Sequence, residues 1–535
     1  MLIGLSVFVT LVALFGIRYQ DRVVPLTEVY APSFGPVEFA PAIDALEALD
    51  ARLRADDRLS TIRRVLPDQA GVLWIALLVW LAIGFDFSRP WSSRNIDLLI
   101  MQAIGWCFIF SLDMLVETSR RNDPARHGLI RLVFEVVAIL STTLLVRVTW
   151  RAARHDSWSF TPAIGPRPLA AIATVAVALS VAMPFFRPVE DSSYFTALGA
   201  QRLRERGLLP YGDPLLTDTP GAAYAPLLYA VQAAAQTVLL QPTNNPSPDR
   251  PVLGEQSQYN SPSPVSSLVV LAASQLLAVW ALVQIGKQWG SAELGLALAA
   301  LYAASAAVLG VGGSGDQVSG MTFVSHIVPP AIMLVAFRYL DRPAISGVLL
   351  AASAASGFYP AFMFPAWLMY HWGQSKRSAV LFVGGFSALS LVVGIWVLVA
   401  SRPAGDMGLI ATIVRDTLGH QTNPEGYGSA PFGLWGQQTG LMKWMLQPLA
   451  GSPLSSPMFL VYVSYLGLTA WIATGAGPVG LALLTAGVAL GANIWRIPGT
   501  GSYMNWYYPF LLIGVLGPGL LLRRRAGKSG DRQLG

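Results

Sequence analysis

Two adjacent carboxylates, Glu190 and Asp191, stand out in PFFRPVEDSSYFTALGAQRLRERGLLPYGDP, the run from Pro184 to Pro214. They follow an apolar segment at once, where a membrane would end. A carboxylate at that edge can accept a proton from an attacking hydroxyl held within hydrogen-bond reach. The plainer reading is a helix cap, in which Asp191 or Ser192 satisfies the free N–H groups of a helix starting near Ser193. Arg187 lies beside the pair and could position or tune Asp191.

The rest of the chain must supply the scaffold. Of its 535 residues 53% are hydrophobic and 12% charged, and the mean hydropathy is +0.51. This composition describes an all-α polytopic membrane protein rather than a set of soluble domains. Apolar runs long enough to cross a ~30 Å hydrocarbon core recur near 3–17, 70–86, 96–116, 128–148, 168–186, 264–284, 291–311, 321–338, 378–400, 457–474, 476–493 and 504–522. Each should be helical, because backbone in lipid has to satisfy its own hydrogen bonds. The stretch 343–372 holds two shorter apolar pieces broken by Gly357, Phe358, Tyr359 and Pro360; a membrane-dipping helical hairpin is expected, with one kinked span as the alternative. The expected total is about 12–14 membrane helices. LIGLSVFVTLVALFG at the start lacks a basic n-region and a clear cleavage site, so a retained span is expected there rather than a signal peptide.

The single cysteine, Cys107, excludes a disulfide framework and a Cys-based metal site. The net charge of +6 does not call for nucleic acid, because much of the excess sits in short flanking loops that orient helices. Placing Arg338 with Arg342, Lys376 with Arg377, the RAAR run from Arg151 and the tail from Arg523 in the cytoplasm gives a consistent path. Loops 187–263, 312–320, 401–456 and 494–503 then face outward. The segment 117–128 objects, since its Arg120, Arg121 and Arg126 would also be outside. Residues 18–68 form a further external segment in which Ile43, Leu46, Leu49, Leu53, Ile62 and Leu66 recur at helical spacing, as in an amphipathic helix.

Loop 187–263 should hold helices near 192–206 and 222–240. Polar groups gather on one surface rather than at mid-membrane, unlike a usual transporter. Within the same loop, an acid after an apolar span, Tyr194, a short helix, RGLLPYGDPLL, and Tyr224 with Pro226 follow in order. This resembles the first external loop of the GT-C superfamily of membrane glycosyltransferases. Downstream, GSGDQVSG from Gly313, AISGVLLAASAASGFYPAFMFPAW from Ala344 and SAPFGLWG from Ser429 continue the resemblance, the last to enzymes that use polyprenyl-phosphate sugars. The likeness covers residues 165–525, leaving 1–164 as an N-terminal extension and 526–535 as a cytoplasmic tail. Where the family often has a lysine before the YP pair, this chain has Gly357 and Phe358.

The resemblance implies a GT-C-type helix bundle of the bacterial plasma membrane with its active site on the external face. It implies Asp191, with Glu190 as second candidate, as the base that deprotonates an acceptor hydroxyl. The acceptor, a glycan or lipid, attacks a sugar such as mannose or arabinose on a polyprenyl-phosphate carrier, with inversion. Arg402, Arg415, His420 and Arg496 are the external groups that could bind the leaving phosphate. Their plainer roles are interfacial anchoring and, for Arg415, pairing with Asp416. Asp316, Tyr194, Tyr224 and Trp435 are candidates for holding the acceptor or sugar, and Asp316 alternatively caps a helix. Trp495, Trp506, Tyr503, Tyr507 and Tyr508 suit sugar stacking or an interfacial belt, and His326 reads as a packing histidine.

Glu190, Asp191 and Asp316 could gather around a divalent ion, although carboxylates alone give no diagnostic spacing. No Walker A, G-x-S-x-G or H-E-x-x-H pattern occurs. Two rival functions are a polymerase or ligase acting on diphosphate-linked glycans and a non-catalytic lipid or sugar transporter.

Overall fold

A computed structural model of the chain describes residues 69–121, 124–154, 162, 164–182, 191–213, 216, 220–239, 263–309, 323–419, 457–496 and 501–517. The external segment 18–68 and the first apolar run therefore lie outside the described residues. Among the described residues all regular structure is helical. In chain order the helices are α1 (Gln69–Val79), α2 (Ser93–Arg121), α3 (Pro124–Arg154), α4 (Pro166–Ala182), α5 (Asp191–Arg206) and α6 (Pro226–Val238). There follow α7 (Ser263–Gln288), α8 (Ala292–Ala303), α9 (Ala306–Leu309), α10 (Val324–Arg338), α11 (Pro343–Gly357), α12 (Phe364–Gln374) and α13 (Lys376–Ala400). The last are α14 (Leu409–Val414), α15 (Pro457–Ala473), α16 (Pro478–Arg496) and α17 (Tyr508–Leu516).

The starts follow local chemistry. Six helices open on proline, at Pro124, Pro166, Pro226, Pro343, Pro457 and Pro478, where the fixed φ fits and the missing N–H is no loss. Ser291 and Ser375 instead cap α8 and α13 by accepting from Leu294 and Ser378 N–H at 3.0 Å. The connector expected over 117–128 is helical at 117–121 and 124–128, so α2 and α3 run past the apolar stretches. The run 291–311 is broken at Ala304 and Ser305 into α8 and α9.

Among the described residues three helices are long and apolar enough to cross a membrane: Val136–Arg154, Ser266–Gln288 and Lys376–Ala400, with 19, 23 and 25 residues. The shorter apolar helices include α4, α8, α10, α11, α15 and much of α16. Along α13, Val380, Leu391, Val392 and Val399 are all exposed, an apolar face of the kind that lies against lipid or a partner.

One cavity of about 340 Å³ fixes how the chain folds back. Gln288 and Trp289 at the end of α7, Asp341 and Pro343 at the start of α11, Gln374 at the end of α12, Ser378 in the first turn of α13, and Pro478 all line it. These connectors consequently share one end of the molecule. Because both the start of α11 and the end of α12 reach that end, 343–374 is a helical hairpin and not one kinked span. Its turn is the 3₁₀ segment Tyr359–Met363.

Close crossings hold the helices together. Gly286 of α7 and Gly295 of α8 meet so tightly that a Cβ on Gly286 would lie 2.2 Å from Gly295 N. In the N-terminal region Asp97, fully buried, is clamped by Arg147 at 2.5 Å and by Arg151. These two arginines are one helical turn apart on α3, so both reach the same carboxylate. A large core joins α1–α4 to α7, α8, α10–α12 and α15–α17, while a second core gathers Phe195, Tyr211, Tyr224, Tyr229, Val324 and Ala400 at the other end.

Candidate functional site

The second core sits beneath the start of α5, which opens with Asp191. The next two residues do not simply cap their own helix. Ser193 Oγ accepts from Val324 N–H at 3.0 Å, and Ser192 Oγ accepts from Ser325 N–H at 3.4 Å. The first turns of α5 and α10 are thereby joined, and two helix N-termini carrying partial positive charge converge beside Asp191. Inside α10, Pro329 and Pro330 have no N–H to donate, so the helical ladder skips the carbonyls four residues back, those of Ser325 and His326.

A buried polar rung holds α5 in place. Ser267 Oγ donates to the Ser193 carbonyl at 2.9 Å, Gln232 Nε2 donates to Ser267 Oγ at 2.9 Å, and Gln236 Nε2 donates to the Ala197 carbonyl at 2.9 Å. Gln232, Gln236 and Ser267 are fully buried. Such bonds fix helix register because an unmade one in an apolar interior is costly.

Beside the junction lies an aromatic cluster. His326, in the first turn of α10, stacks on Phe323 at 4.9 Å, lies 4.3 Å from the Tyr503 ring and meets Trp506 edge-on at 5.7 Å. Trp506 in turn stacks on Tyr359 with ring centroids 3.7 Å apart and an interplanar angle of 5°. The cluster therefore brings the hairpin turn, α10 and the 3₁₀ segment Gly501–Trp506 to one place.

Over the second core the segment 207–213 forms a strap. Gly207 and Gly212 turn it with φ of +67° and +75°, values that glycine adopts without penalty. Leu209 N–H donates to the Ala400 carbonyl at 2.7 Å and Arg402 N–H to the Tyr211 carbonyl at 3.2 Å. Gly212 N–H donates to Asp416 Oδ2 at 2.8 Å, and the Tyr211 hydroxyl to the Tyr224 carbonyl at 2.6 Å. The loops after α5 and α13 thus act as one unit. Burial raises the Tyr211 and Tyr229 hydroxyl pKa values, with the Asp416 charge adding to it in both, so both stay protonated.

Charges cluster under the strap. Arg202, 5% exposed, has Nε 3.5 Å from Asp213 and a terminal nitrogen 4.0 Å from Glu205. Glu205 accepts from Gln201 Nε2 at 2.7 Å. Desolvation raises its carboxyl pKa above the ordinary 4.5, outweighing the Gln201 bond and the neighbouring arginines.

The residues singled out from sequence divide into three groups. Asp191 opens α5 beside the α10 junction, and Tyr194 is on the same helix; the side chains of both lie outside the described residues. Arg402 is exposed and joined to the strap through its backbone. Arg415 spends its charge locally, with Nε donating to Asp416 at 2.7 Å. Tyr224 is 8% exposed and packed in the second core, its N–H donating to Tyr229 Oη at 3.1 Å. Arg496 ends α16, with its side chain outside the described residues. Glu190, Asp316, His420 and Trp435 lie outside the described residues altogether.

Tyr507 and Tyr508 are 2% exposed, so they are core residues and not an interfacial belt. Tyr508 donates to the Leu301 carbonyl at 3.0 Å. The residues that sequence reasoning missed are Ser193 and Ser267 in the junction and Asp416 in the strap. Their partners are up to 204 positions away, and the two glycines of RGLLPYG are the local signal that could have marked the turns of the strap. Among the described residues no group of three His, Cys, Asp or Glu side chains could hold a metal ion. No protein-family model, no curated protein and no solved structure matches the chain.

Proposed function

We propose that the chain is an integral membrane glycosyltransferase of the GT-C type. In this reading it moves a sugar from a polyprenyl-phosphate donor to a glycan or lipid acceptor at the outer face of the membrane, with inversion. The observation that supports it best is the junction of α5 with α10, where the carboxylate-bearing helix start meets a second helix N-terminus through Ser193 and Ser192. Asp191 takes the proton of the acceptor hydroxyl, whose oxygen attacks the anomeric carbon. The bond from that carbon to the phosphate oxygen breaks, and the electron pair leaves on the phosphate. Helix N-termini and external arginines favour the negative charge that develops there. Because the donor is already activated, the reaction needs no nucleotide-binding domain.

An apolar groove of about 750 Å³, lined by Ala173, Val177, Val181, Leu276, Val283 and Leu296, suits part of the isoprenoid tail. It ends at Ala182, where the chain leaves α4 toward Asp191. The test is transfer from synthetic short-chain polyprenyl-phosphate sugars by purified protein, with Asp191→Asn and Glu190→Gln. Loss of transfer in Asp191→Asn, with thermal stability and donor binding retained, is the expected result. If wild type transfers nothing from a broad donor and acceptor panel yet moves lipid or sugar across vesicles, and Asp191→Asn does so equally, the protein is a transporter. If transfer requires a diphosphate-linked glycan and ignores Asp191, it is a polymerase or ligase.

A further inference from the structure

Tyr359 and Trp506 stack face to face where the hairpin turn meets the 3₁₀ segment Gly501–Trp506. Tyr359 is 4% exposed, and among the described residues neither its hydroxyl nor the buried Trp506 indole N–H has a hydrogen-bond partner. Phenylalanine would keep the 3.7 Å stack and avoid burying an unpaired hydroxyl. The preceding residue adds a second cost. Phe358 sits at φ +54°, ψ −49°, and is the one non-glycine residue with positive φ among those described. Bulky side chains rarely adopt that region, and such strain concentrates where a segment binds or moves. Gly357 before it packs so closely on Pro329 that a Cβ would lie 2.5 Å from the proline ring. The hairpin turn is therefore pressed against α10 in a conformation its own sequence disfavours.

These costs fall in one place, beside His326, which follows Val324 of the α5–α10 junction by two residues. We propose that Tyr359 and Trp506 form a carbohydrate-binding subsite, in which the Tyr359 hydroxyl and the Trp506 N–H hydrogen-bond the hydroxyls of a sugar ring. The proposal rests on the transferase reading for the sugar's origin and deepens it by naming the residues that hold the ring. The chemistry suits a sugar rather than a phosphate or an alkyl chain. Aromatic faces take the C–H face of the ring, while a phenol and an indole N–H in dry surroundings select a neutral polyol. Among the described residues the cluster members are Tyr359, Trp506, Tyr503, Phe323 and His326, with no lysine or arginine to hold a phosphate. Both polar atoms are buried, so the sugar enters when the 359–363 turn shifts, and release of the Phe358 strain favours that shift.

The test measures binding of methyl mannoside, methyl arabinofuranoside, methyl glucoside and methyl galactoside to the purified full chain, by saturation-transfer NMR. It compares wild type, Tyr359→Phe and Trp506→Phe, and records each protein's thermal midpoint. Wild type is expected to bind one of these sugars, and Tyr359→Phe to bind it about tenfold more weakly, the loss of roughly one hydrogen bond. The midpoint of Tyr359→Phe should be unchanged or higher, because the variant deletes a buried group that has no partner. Sugar binding unchanged in both variants, or absent from wild type, overturns the proposal. A fall in the Tyr359→Phe midpoint with unchanged binding also overturns it, since the hydroxyl then has a structural partner such as a trapped water. The outcome is separable from the transferase test: Asp191→Asn should lose transfer and keep sugar binding. Binding that depends on Tyr359 without transfer in any protein would sink the transferase reading and leave the subsite standing.

Discussion

Alanine at Gly212 and at Gly207 asks how far the strap depends on its contact with the loop after α13. Both glycines have positive φ, +75° and +67°, so each substitution carries the same backbone penalty of about 1–2 kcal/mol. Their surroundings differ. A Cβ on Gly207 meets nothing within 4 Å, whereas on Gly212 it would lie 1.9 Å from the Arg402 carbonyl oxygen and 2.8 Å from its carbon. Real Cβ contacts stay above 3.0 Å, so the two loops must part by about 1.1 Å, from 1.9 to 3.0. The obstacle is backbone, which cannot rotate away. Parting strains the Arg402 N–H bond to Tyr211 at 3.2 Å and the Gly212 N–H bond to Asp416 at 2.8 Å. The Asp416 side chain is 2% exposed, so it loses a charged-group bond of about 1.5–3 kcal/mol, with about 1 kcal/mol for the neutral one. Gly212→Ala should therefore destabilise the strap by about 4 kcal/mol and Gly207→Ala by about 1.5 kcal/mol.

Amide hydrogen exchange in lipid nanodiscs reads this difference locally. Peptides covering 207–213 and 400–416 should exchange on the order of 50-fold faster in Gly212→Ala than in Gly207→Ala. Peptides from α7 and α16 should be unchanged. Equal exchange in the two variants would refute the claim that the strap and the loop after α13 act as one unit. Under the proposed transferase reading, transfer should follow the exchange, because the strap closes the core on which the Asp191 helix rests.

Three further perturbations follow from packing and charge. Glu205 has a native pKa above its ordinary 4.5, so the folded state binds its proton more tightly than the unfolded state. That contribution is complete below pH 4.5 and is lost as pH rises through the native value; Glu205→Gln should raise the neutral-pH thermal midpoint and flatten its pH dependence between 4.5 and 7. A midpoint that instead falls in Glu205→Gln at pH 7 would mean the Arg202 attraction outweighs burial. Asp97→Asn leaves Arg151, 4% exposed, without its carboxylate, and should cost about 3–5 kcal/mol, read as a lower unfolding midpoint in detergent. Gly286→Ala drives a Cβ onto Gly295 backbone at 2.2 Å and should cost about 1–3 kcal/mol or more; wild-type stability in that variant would show that α7 and α8 can separate freely.

Much of the helical plan was legible because it rests on local signals. Apolar runs gave most of the helices described, and Pro226 marked where α6 begins. The helices expected near 192–206 and 222–240 are present as Asp191–Arg206 and Pro226–Val238. Boundaries failed where polar residues are good helix formers. The arginines and glutamate of 117–128 read as a loop, yet continue α2 and α3. Tyr507 and Tyr508 read as belt residues because hydropathy does not say whether a tyrosine faces lipid or a neighbouring helix.

By itself the sequence determined the all-helical class, the apolar segments and the position of Asp191 at a helix start, since each follows from residue type and spacing over a few turns. Tertiary structure alone decided that Ser193 reaches Val324, that Gly212 meets Asp416, that 343–374 returns as a hairpin and that Tyr359 stacks on Trp506. Those contacts join residues 131 and 204 positions apart in the first two cases. A single hydroxyl or N–H leaves no periodic trace in the chain, so its partner is set by how helices cross and not by the residues beside it.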